Sequence, residues 1–438
     1  MNRFIETIKN IFSIEELRTR ILNTLLFITV FRLGTHIVLP GVNPDRLNLR
    51  PQGLLGLLDA FVGGAFSKAS IFALGIMPYI SASIAIQLLT LALPYFQKMQ
   101  KEGESGRKKL NQITRVLTIL VTAVQAVTYI QTTIPVEAMM IDRTLFTIAS
   151  VFLLTAGTIF CMWLGERITD KGIGNGISMI IMIGIVSRFP GAIIGEAQTR
   201  GTSQIFIFFI EMVALYFVIM GAVLLTQAVR RIPIQYAKQV VGNKVVGGQR
   251  QYLPLKLNAA GVMPIIFAQA LMFIPGFMFG LGAEKSETVA NIANVFGDYT
   301  SWQYNLLFAF LIIVFTFFYT AISVNPTQIS DDMKRSGGFI PGVKPGIATS
   351  EYIGTVLDHI TLPGAVMLAM VAILPSFASK LGMTTAFAAF FGGTSLLIMV
   401  GVVLDTLQQI ESYLLMRRYE GLMKSGRVKG RTTDAVTV

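Results

Sequence analysis

The sequence is short of charge, cysteine and histidine, and these shortages exclude several classes of protein. Charged residues make up 14% of its 438 residues, whereas a soluble domain contains about 25%. The single cysteine, Cys161, excludes a disulfide framework. The two histidines, His36 and His359, argue against a metal site, and we expect no cofactor. With 53% hydrophobic residues, the composition indicates a polytopic membrane protein.

Two sequence motifs are also missing. Residues 1–20 are charged and amphipathic, and no small-residue cleavage site follows the first apolar run, so we expect no cleavable signal sequence. The chain also lacks the phosphate-binding pattern GxxxxGKS or GxxxxGKT, and nucleotide hydrolysis by that route is therefore not expected. We accordingly expect a protein that is not an enzyme.

Ten apolar runs are long enough to cross a membrane, since one helical span needs about 20 residues. Segments on the side of the N-terminus hold 27 of the 36 lysines and arginines, whereas eight lie on the opposite side. Because the count of spans is even, the positive-inside rule predicts that both termini are cytoplasmic. The runs lie at about Ile21–Leu39, Ile71–Leu93, Ile113–Thr132, Thr144–Leu164, Ile173–Phe189, Ile205–Leu225, Leu257–Leu281, Asn305–Asn325, Thr361–Phe377 and Gly393–Leu415.

The stretch Leu54–Leu93 does not divide into full spans, because forty residues are too many for one and its first part is short. That first part, Leu54–Phe66, is broken by Gly63 and Gly64, which predict a loosely tethered unit. We interpret it as a half-helix that enters from the outer face and turns back. Irregular backbone at membrane depth occurs only inside protein or beside water, so this predicts a central cavity. An interfacial helix lying flat is the alternative.

Five helices per half is an odd number, so two halves of one fold would be inverted relative to each other. Inverted repeats place a pathway at their interface near the midplane. We therefore predict an all-α fold of ten transmembrane helices in two inverted five-helix halves, with a re-entrant half-helix at about 54–67. The halves would be residues 1–200 and 201–438, the second with large basic cytoplasmic loops at about 227–256 and 326–360.

Isoleucines and ionisable residues within the spans are the first candidates for function. Ile76 and Ile80 share one helix face, and counting about 1.5 Å per residue from Ile71 places Ile80 about 13 Å deep, near mid-membrane. Such a pair is more often packed or lipid-facing than pore-lining. Arg32 and Asp405 are functional candidates by default, or they form an ion pair with each other or with a partner subunit.

Polar residues elsewhere in the chain leave several interpretations open. Glu211, near an outer helix end, is expected at the membrane interface. The basic loops exceed what topology requires and would dock a soluble partner or anionic lipid headgroups. Polar side chains on the second, third and seventh spans suggest a hydrated or separable helix face, or ordinary interhelical hydrogen bonds. They are Gln87, Thr114, Thr118, Thr122, Gln125 and Asn258.

Long runs of this sequence resemble the SecY family, the channel subunits of the bacterial Sec protein translocon. GGAFSKASIFALGIMPYISASIAIQLL resembles the family's plug and second helix, and WLGERITDKGIGNGIS, NPTQISDDMKRSGGFIPGVKPG and FGGTSLLIMVGVVLD follow in the family's order. The resemblance covers nearly the whole chain. It implies that unfolded preproteins cross the plasma membrane through the centre of two inverted halves, and that transmembrane segments leave sideways through a lateral gate.

The resemblance also implies roles for particular residues. The pore ring would be Ile76, Ile80, Ile177, Ile181, Ile266 and Ile398. The plug would be Asp59, Ala60, Phe61, Val62, Gly63, Gly64, Ala65, Phe66 and Ser67. The polar residues of the lateral gate would be Gln87, Thr114, Thr118 and Asn258. SecA or the ribosome would dock at Arg230, Arg231, Lys244, Lys334, Arg335 and Lys344. At Lys344 the family commonly has arginine, whose planar fork lysine lacks.

The implied partners are small membrane subunits similar to SecE and SecG, the SecA ATPase, the ribosome through its RNA, preprotein signal sequences and membrane lipids. A docked motor, a ribosome or the membrane potential would supply the energy. The alternative is an inverted-repeat secondary transporter of a small solute, which would need titratable or ion-coordinating groups at the midplane. Only Arg32 and Asp405 are strong candidates for such groups.

Overall fold

The computed structural model describes residues 12–47, 59, 62–201, 204–236, 239–241, 244–246, 250–269, 271–272 and 299–424. Within these ranges, seven helices are long and apolar enough to cross a membrane, and the bent pair Met77–Thr90 and Pro94–Gln100 is an eighth candidate. The chain divides into two compact units. One comprises Met1–Arg188 and Val402–Val438, and the other comprises Phe189–Gly401. The predicted halves, divided at residue 200, stay a prediction.

Helices account for most of the described residues in both units. In chain order they are α1 (Glu15–Gly34), α2 (Met77–Ala92), α3 (Pro94–Lys101), α4 (Glu104–Thr133), α5 (Arg143–Lys171), α6 (Gly176–Arg200), α7 (Ile205–Gln227), α8 (Trp302–Ser323), α9 (Pro326–Arg335), α10 (Ile347–Lys380), α11 (Thr385–Ala388) and α12 (Gly393–Lys424). A further short helix lies at 263–269. The predicted spans fall on these helices, with differences at their ends.

The second predicted span is wrong at its start, because residues 71–76 form turns and α2 begins at Met77. Gly75 has a φ of +51°, which a helix does not allow, and Pro78 fits only the first turn of a helix. Ile76 is thus the residue that precedes the helix, and the depth counted from Ile71 does not hold. At the other end, Leu93 is extended before Pro94, and the chain bends by 102° into α3.

Other helix ends also differ from the predicted ones. The first predicted span ends at Gly34 rather than at Leu39. At Gly34 the helix α1 packs closely on Phe72, because a Cβ there would lie 1.9 Å from the phenyl ring. The fifth span continues through Pro190 to Arg200. The seventh span, predicted at 257–281, has turns at 257–262 and helix at 263–269 and 271–272, while 273–281 lies outside the described residues.

The second unit contains a small antiparallel sheet that the all-α prediction does not include. Its strands are β1 (Val229–Tyr236), β4 (Arg250–Lys256) and β5 (Gly338–Phe339), in the order β4-β1-β5, while β2 (Gln239–Val241) and β3 (Lys244–Val246) form a hairpin. In β1, Ile232 and Ile234 alternate with exposed residues and point into a core. That core also contains Met333 of α9 and Ile353 of α10, so the sheet is fixed to two helices.

A buried ionic network fastens three segments of the second unit. Arg200, at the end of α6, donates from Nε to Glu196 at 3.0 Å and from Nη2 to Glu211 of α7 at 2.5 Å. Its guanidinium also reaches the carbonyl of Gly382 at 2.9 Å. Glu196 accepts two further hydrogen bonds from Thr384, at 2.8 Å from the backbone N–H and 2.5 Å from the hydroxyl. Glu211 is buried and paired with Arg200, and its expected position at the membrane interface stays a prediction.

Candidate pore, plug and docking sites

Four of the six predicted ring isoleucines lie together in the first unit. Ile76, Ile80 and Ile177 contact one apolar cluster. Ile181 lines a small cavity together with Ile76 and Ile80, and Val62 of the predicted plug lines the same cavity. Its volume is about 10 Å³, room for about one water molecule at most. Val62 of the predicted plug thus completes a tightly packed apolar cluster, here called the closure.

Glycines bring α6 close enough to α5 for this closure. A Cβ on Gly176 would lie 1.9 Å from the carbonyl oxygen of Gly165, and a Cβ on Gly165 would lie 2.9 Å from Ile177. Asn175 caps the helix, since its Oδ1 accepts a 3.1 Å hydrogen bond from the N–H of Ile177. Gly176, in the glycine-rich stretch that follows α5, therefore serves close packing.

The other two predicted ring residues, Ile266 and Ile398, belong to the second unit. Ile266 is half-buried in the helix at 263–269, and Ile398 is buried on α12. The six-residue ring as a whole stays a prediction.

The described part of the predicted plug is held by charged groups and by close backbone contacts. The carboxylate of Asp59 is fully buried, forms an ion pair with Arg188 and accepts a 2.9 Å hydrogen bond from the N–H of Ser67. Arg32 donates to the carbonyl of Gly63 at 3.3 Å. The turns at 62–70 and the helical Asp59 are described, whereas Ala60, Phe61 and residues 48–58 lie outside the described residues.

Gly63 is tightly packed, whereas a Cβ on Gly64 would meet only Arg188, at an ordinary contact distance of 3.6 Å; a loosely tethered segment stays a prediction for these two glycines. Their φ angles are +68° and +86°, which favour glycine. A Cβ on Gly63 would lie 2.6 Å from Nη1 of Arg32 and 3.0 Å from the Cα of Gly184. Glycine is needed here because side chains and backbone of α1 and α6 approach the turn directly.

The polar residues predicted for the lateral gate fall into two groups. Thr114 and Thr118 are buried on α4 and donate to the carbonyls four residues earlier, at 2.9 Å and 2.7 Å, so each is satisfied within its own helix. Gln87 and Asn258 differ, because Oε1 of Gln87 and Oδ1 of Asn258 are buried without a hydrogen-bond partner among the described residues. Each therefore has a buried acceptor oxygen without a hydrogen bond, which costs free energy of folding.

The ionisable residues predicted within the spans do not pair with each other. Arg32 binds the plug turn, as described above, and Asp405 is exposed on α12 with no ion pair in the part of the chain that the structure describes. Across the same ranges, no group of three or more histidine, cysteine, aspartate or glutamate side chains could hold a metal ion.

The basic residues predicted to dock a partner lie on the sheet, on the hairpin strand β3, on α9 and in the loop that follows β5. Those whose side chains are described are exposed. They are Arg230, Arg231, Lys334, Arg335 and Lys344. Arg230 and Arg231 precede the buried Ile232 on β1, and the helix α9 that carries Lys334 packs on the same core through Met333. Lys244 lies on β3, and its side chain is outside the described residues.

These features define a helical membrane protein with a tightly packed apolar cluster beside a turn that charged groups hold. The SecY family model matches residues 70–407. A relative from Thermotoga maritima, protein translocase subunit SecY, is 41% identical over 97% of this chain and 99% of its own length. This chain belongs to the SecY family.

Solved structures agree on the fold. One, described as a protein-conducting channel, matches with a TM-score of 0.62 at 16% identity, over 90% of this chain and 92% of that one. Sec61 from a canine ribosome–channel complex of the endoplasmic reticulum matches with a TM-score of 0.58 at 15% identity, over 90% and 92%. The fold is thus that of these channels, with which ten transmembrane helices are consistent. Nothing in these comparisons supports the secondary-transporter alternative.

Proposed function

We propose that this chain is the channel-forming subunit of a protein translocase in the bacterial plasma membrane. It passes unfolded preproteins across the membrane and releases transmembrane segments sideways into the bilayer. The observation that carries this proposal is the apolar closure, in which Ile76, Ile80 and Ile181 meet Val62 of the plug around a cavity of about 10 Å³. Membership of the SecY family supports it.

The closure excludes water and ions, and it forms or breaks no covalent bond. A narrow apolar constriction resists water and ions because it offers no polar partner to replace their hydration. Branched isoleucine side chains can turn outward around an extended polypeptide, and they close again when it has passed. Ile177, Ile266 and Ile398 would complete the ring. No step in this cycle needs a catalytic residue or a cofactor.

Partners would supply the energy and the remaining subunits. The exposed arginines of β1 and the lysines near β5 suit an acidic surface of SecA or the phosphates of ribosomal RNA. A ribosome-bound Sec61 among the structural neighbours supports ribosome docking. Small membrane subunits similar to SecE and SecG would pack on the lipid-facing helices. Both termini would be cytoplasmic, because most of the lysines and arginines lie on their side.

Cross-linking tests this proposal directly. The channel would be reconstituted with SecA, and a preprotein carrying a bulky C-terminal block would be arrested during transport. In a Cys161→Ser background, Ile80→Cys is expected to cross-link to the arrested chain. Phe152→Cys, whose side chain is 74% exposed on α5, is the control and should not cross-link to the arrested chain. Equal cross-linking at both positions, or none at Ile80, would contradict a path through the closure.

A further inference from the structure

The described part of the segment that contains the predicted plug, Asp59 and residues 62–71, is fastened differently at its two ends. Its C-terminal part is held by neutral hydrogen bonds: the Tyr129 hydroxyl of α4 donates to the carbonyl of Phe66 at 2.7 Å, and backbone bonds join Ala69 to Leu39 and Ile71 to Ile37. None of these contacts needs a charge. This end is part of the folded core of the first unit, since Phe66 and Tyr129 belong to one apolar cluster.

The other end depends on charge. Asp59 is fully buried, and the ion pair from Arg188 compensates its carboxylate. A carboxylate buried without a compensating cation is strongly unfavourable. The same carboxylate shapes the turn, because it accepts from the N–H of Ser67, while the N–H of Gly64 donates to the backbone carbonyl of Asp59 at 3.0 Å. Removing Arg188 would therefore destabilise this end and leave the other fastening intact.

Arg188 lies where it can separate from Asp59. The Arg188 side chain is 36% exposed although its partner is fully buried, so water can solvate the guanidinium once the pair separates. Arg188 is also the last residue of the first unit on α6 and stands two positions before Pro190. Proline removes one backbone hydrogen bond from a helix, so α6 is weakened beside this residue. A second arginine, Arg32 of α1, adds only a hydrogen bond to the carbonyl of Gly63.

We propose that the Asp59–Arg188 ion pair is a releasable latch that sets how readily the channel opens, with the segment 66–71 as the fixed end about which the plug turns. This inference rests on the proposed channel function. Arg188 acts as a positioning residue: it holds Val62 against the isoleucines by fixing Asp59, and it does not line the closure itself.

The test compares Arg188→Gln, Asp59→Asn and the double variant in planar bilayers and in export assays. Each single variant should open about tenfold more often at rest, the low end for losing a hydrogen bond to a charged partner. Each should also export a preprotein with a defective signal sequence. The double variant should be no leakier than the worse single variant, because both changes remove the same pair. Arg188→Lys, which keeps the charge, should stay close to wild type.

Lys68→Gln is the matched control, because Lys68 is an exposed cation in the same segment. It should leave resting conductance and export unchanged. Three results would each overturn the latch. The first is a leak in the double variant equal to the sum of the two single leaks, and the second is an equal leak in Arg188→Lys and Arg188→Gln. The third is a resting conductance in Arg188→Gln equal to that of Lys68→Gln. Export of a normal preprotein by the wild-type channel is scored separately, so failure of the proposed function would be distinguished from failure of the latch.

Discussion

Removing the positive charge of Arg200 should destabilise the second unit more than removing any exposed ion pair. The Arg200 side chain is 12% exposed, and its partners Glu196 and Glu211 are 0% and 4% exposed. Arg200→Gln would leave two buried carboxylates without a cation. Breaking a buried ionic pair on one side costs about 3–5 kcal/mol, and we expect a loss of unfolding free energy in that range.

The control is an ion pair of similar geometry and greater exposure. Arg115 and Glu166 are 2.7 Å apart, with side chains 49% and 30% exposed. Such pairs contribute about 0–1 kcal/mol, so Arg115→Gln should change stability little. Arg200→Lys should lie between the two, because lysine keeps the charge but cannot direct a fork toward Glu196, Glu211 and the Gly382 carbonyl together.

The measurement is reversible unfolding in detergent micelles at several denaturant concentrations, followed by circular dichroism. The purified variants should first be shown to be monodisperse. A loss for Arg200→Gln no larger than that for Arg115→Gln would refute the argument, since it would mean that the buried carboxylates do not need their cation. A loss for Arg200→Lys as large as for Arg200→Gln would instead assign the effect to hydrogen-bond geometry.

Two further predictions concern the closure and the docking surface. Replacing Ile80 and Ile181 with serine should wet the closure and raise resting ion conductance in planar bilayers, and unchanged conductance in the double variant would contradict a sealing role. Reversing the charge of exposed loop residues should weaken ribosome binding, and the wild-type affinity should fall steeply with salt because phosphate contacts release counterions. The residues to change to glutamate are Arg230, Arg231 and Lys344. Lys344→Arg should preserve binding, and normal affinity in the triple variant would contradict the docking surface.

The sequence could predict the helices because each apolar run carries its own signal. It placed the start of α2 six residues early because hydropathy continues through 71–76, whereas Gly75 and Pro78 decide where the helix begins. Both residues are visible in the sequence and could have corrected the boundary. The sheet was also readable in principle, since isoleucines alternate with exposed residues along β1.

The ion pair between Asp59 and Arg188 could not have been predicted from spacing, whereas Glu196 and Arg200 are four residues apart on one helix, a spacing that predicts a pair. Asp59 and Arg188 are 129 residues apart, and nothing local indicates that they meet. The sequence offered Arg32 and Asp405 as partners because both lie within spans, but Arg32 binds a backbone carbonyl instead. Glu211 looked interfacial because it lies near an outer helix end, whereas its burial and its pair with Arg200 depend on packing that hydropathy does not show.

The core beneath the predicted docking surface has a mechanical consequence for the second unit. Ile353 and Leu357, near the start of α10, share that core with the β1 strand. The whole of α10 is 34 residues long, about 51 Å at 1.5 Å per residue, and its far end leads into the turn in which Gly382 and Thr384 meet Arg200 and Glu196. In the proposed function, a load applied by a partner at the basic surface would therefore pass along α10, which has Pro363 and Pro375 in its interior but no loop between its two ends.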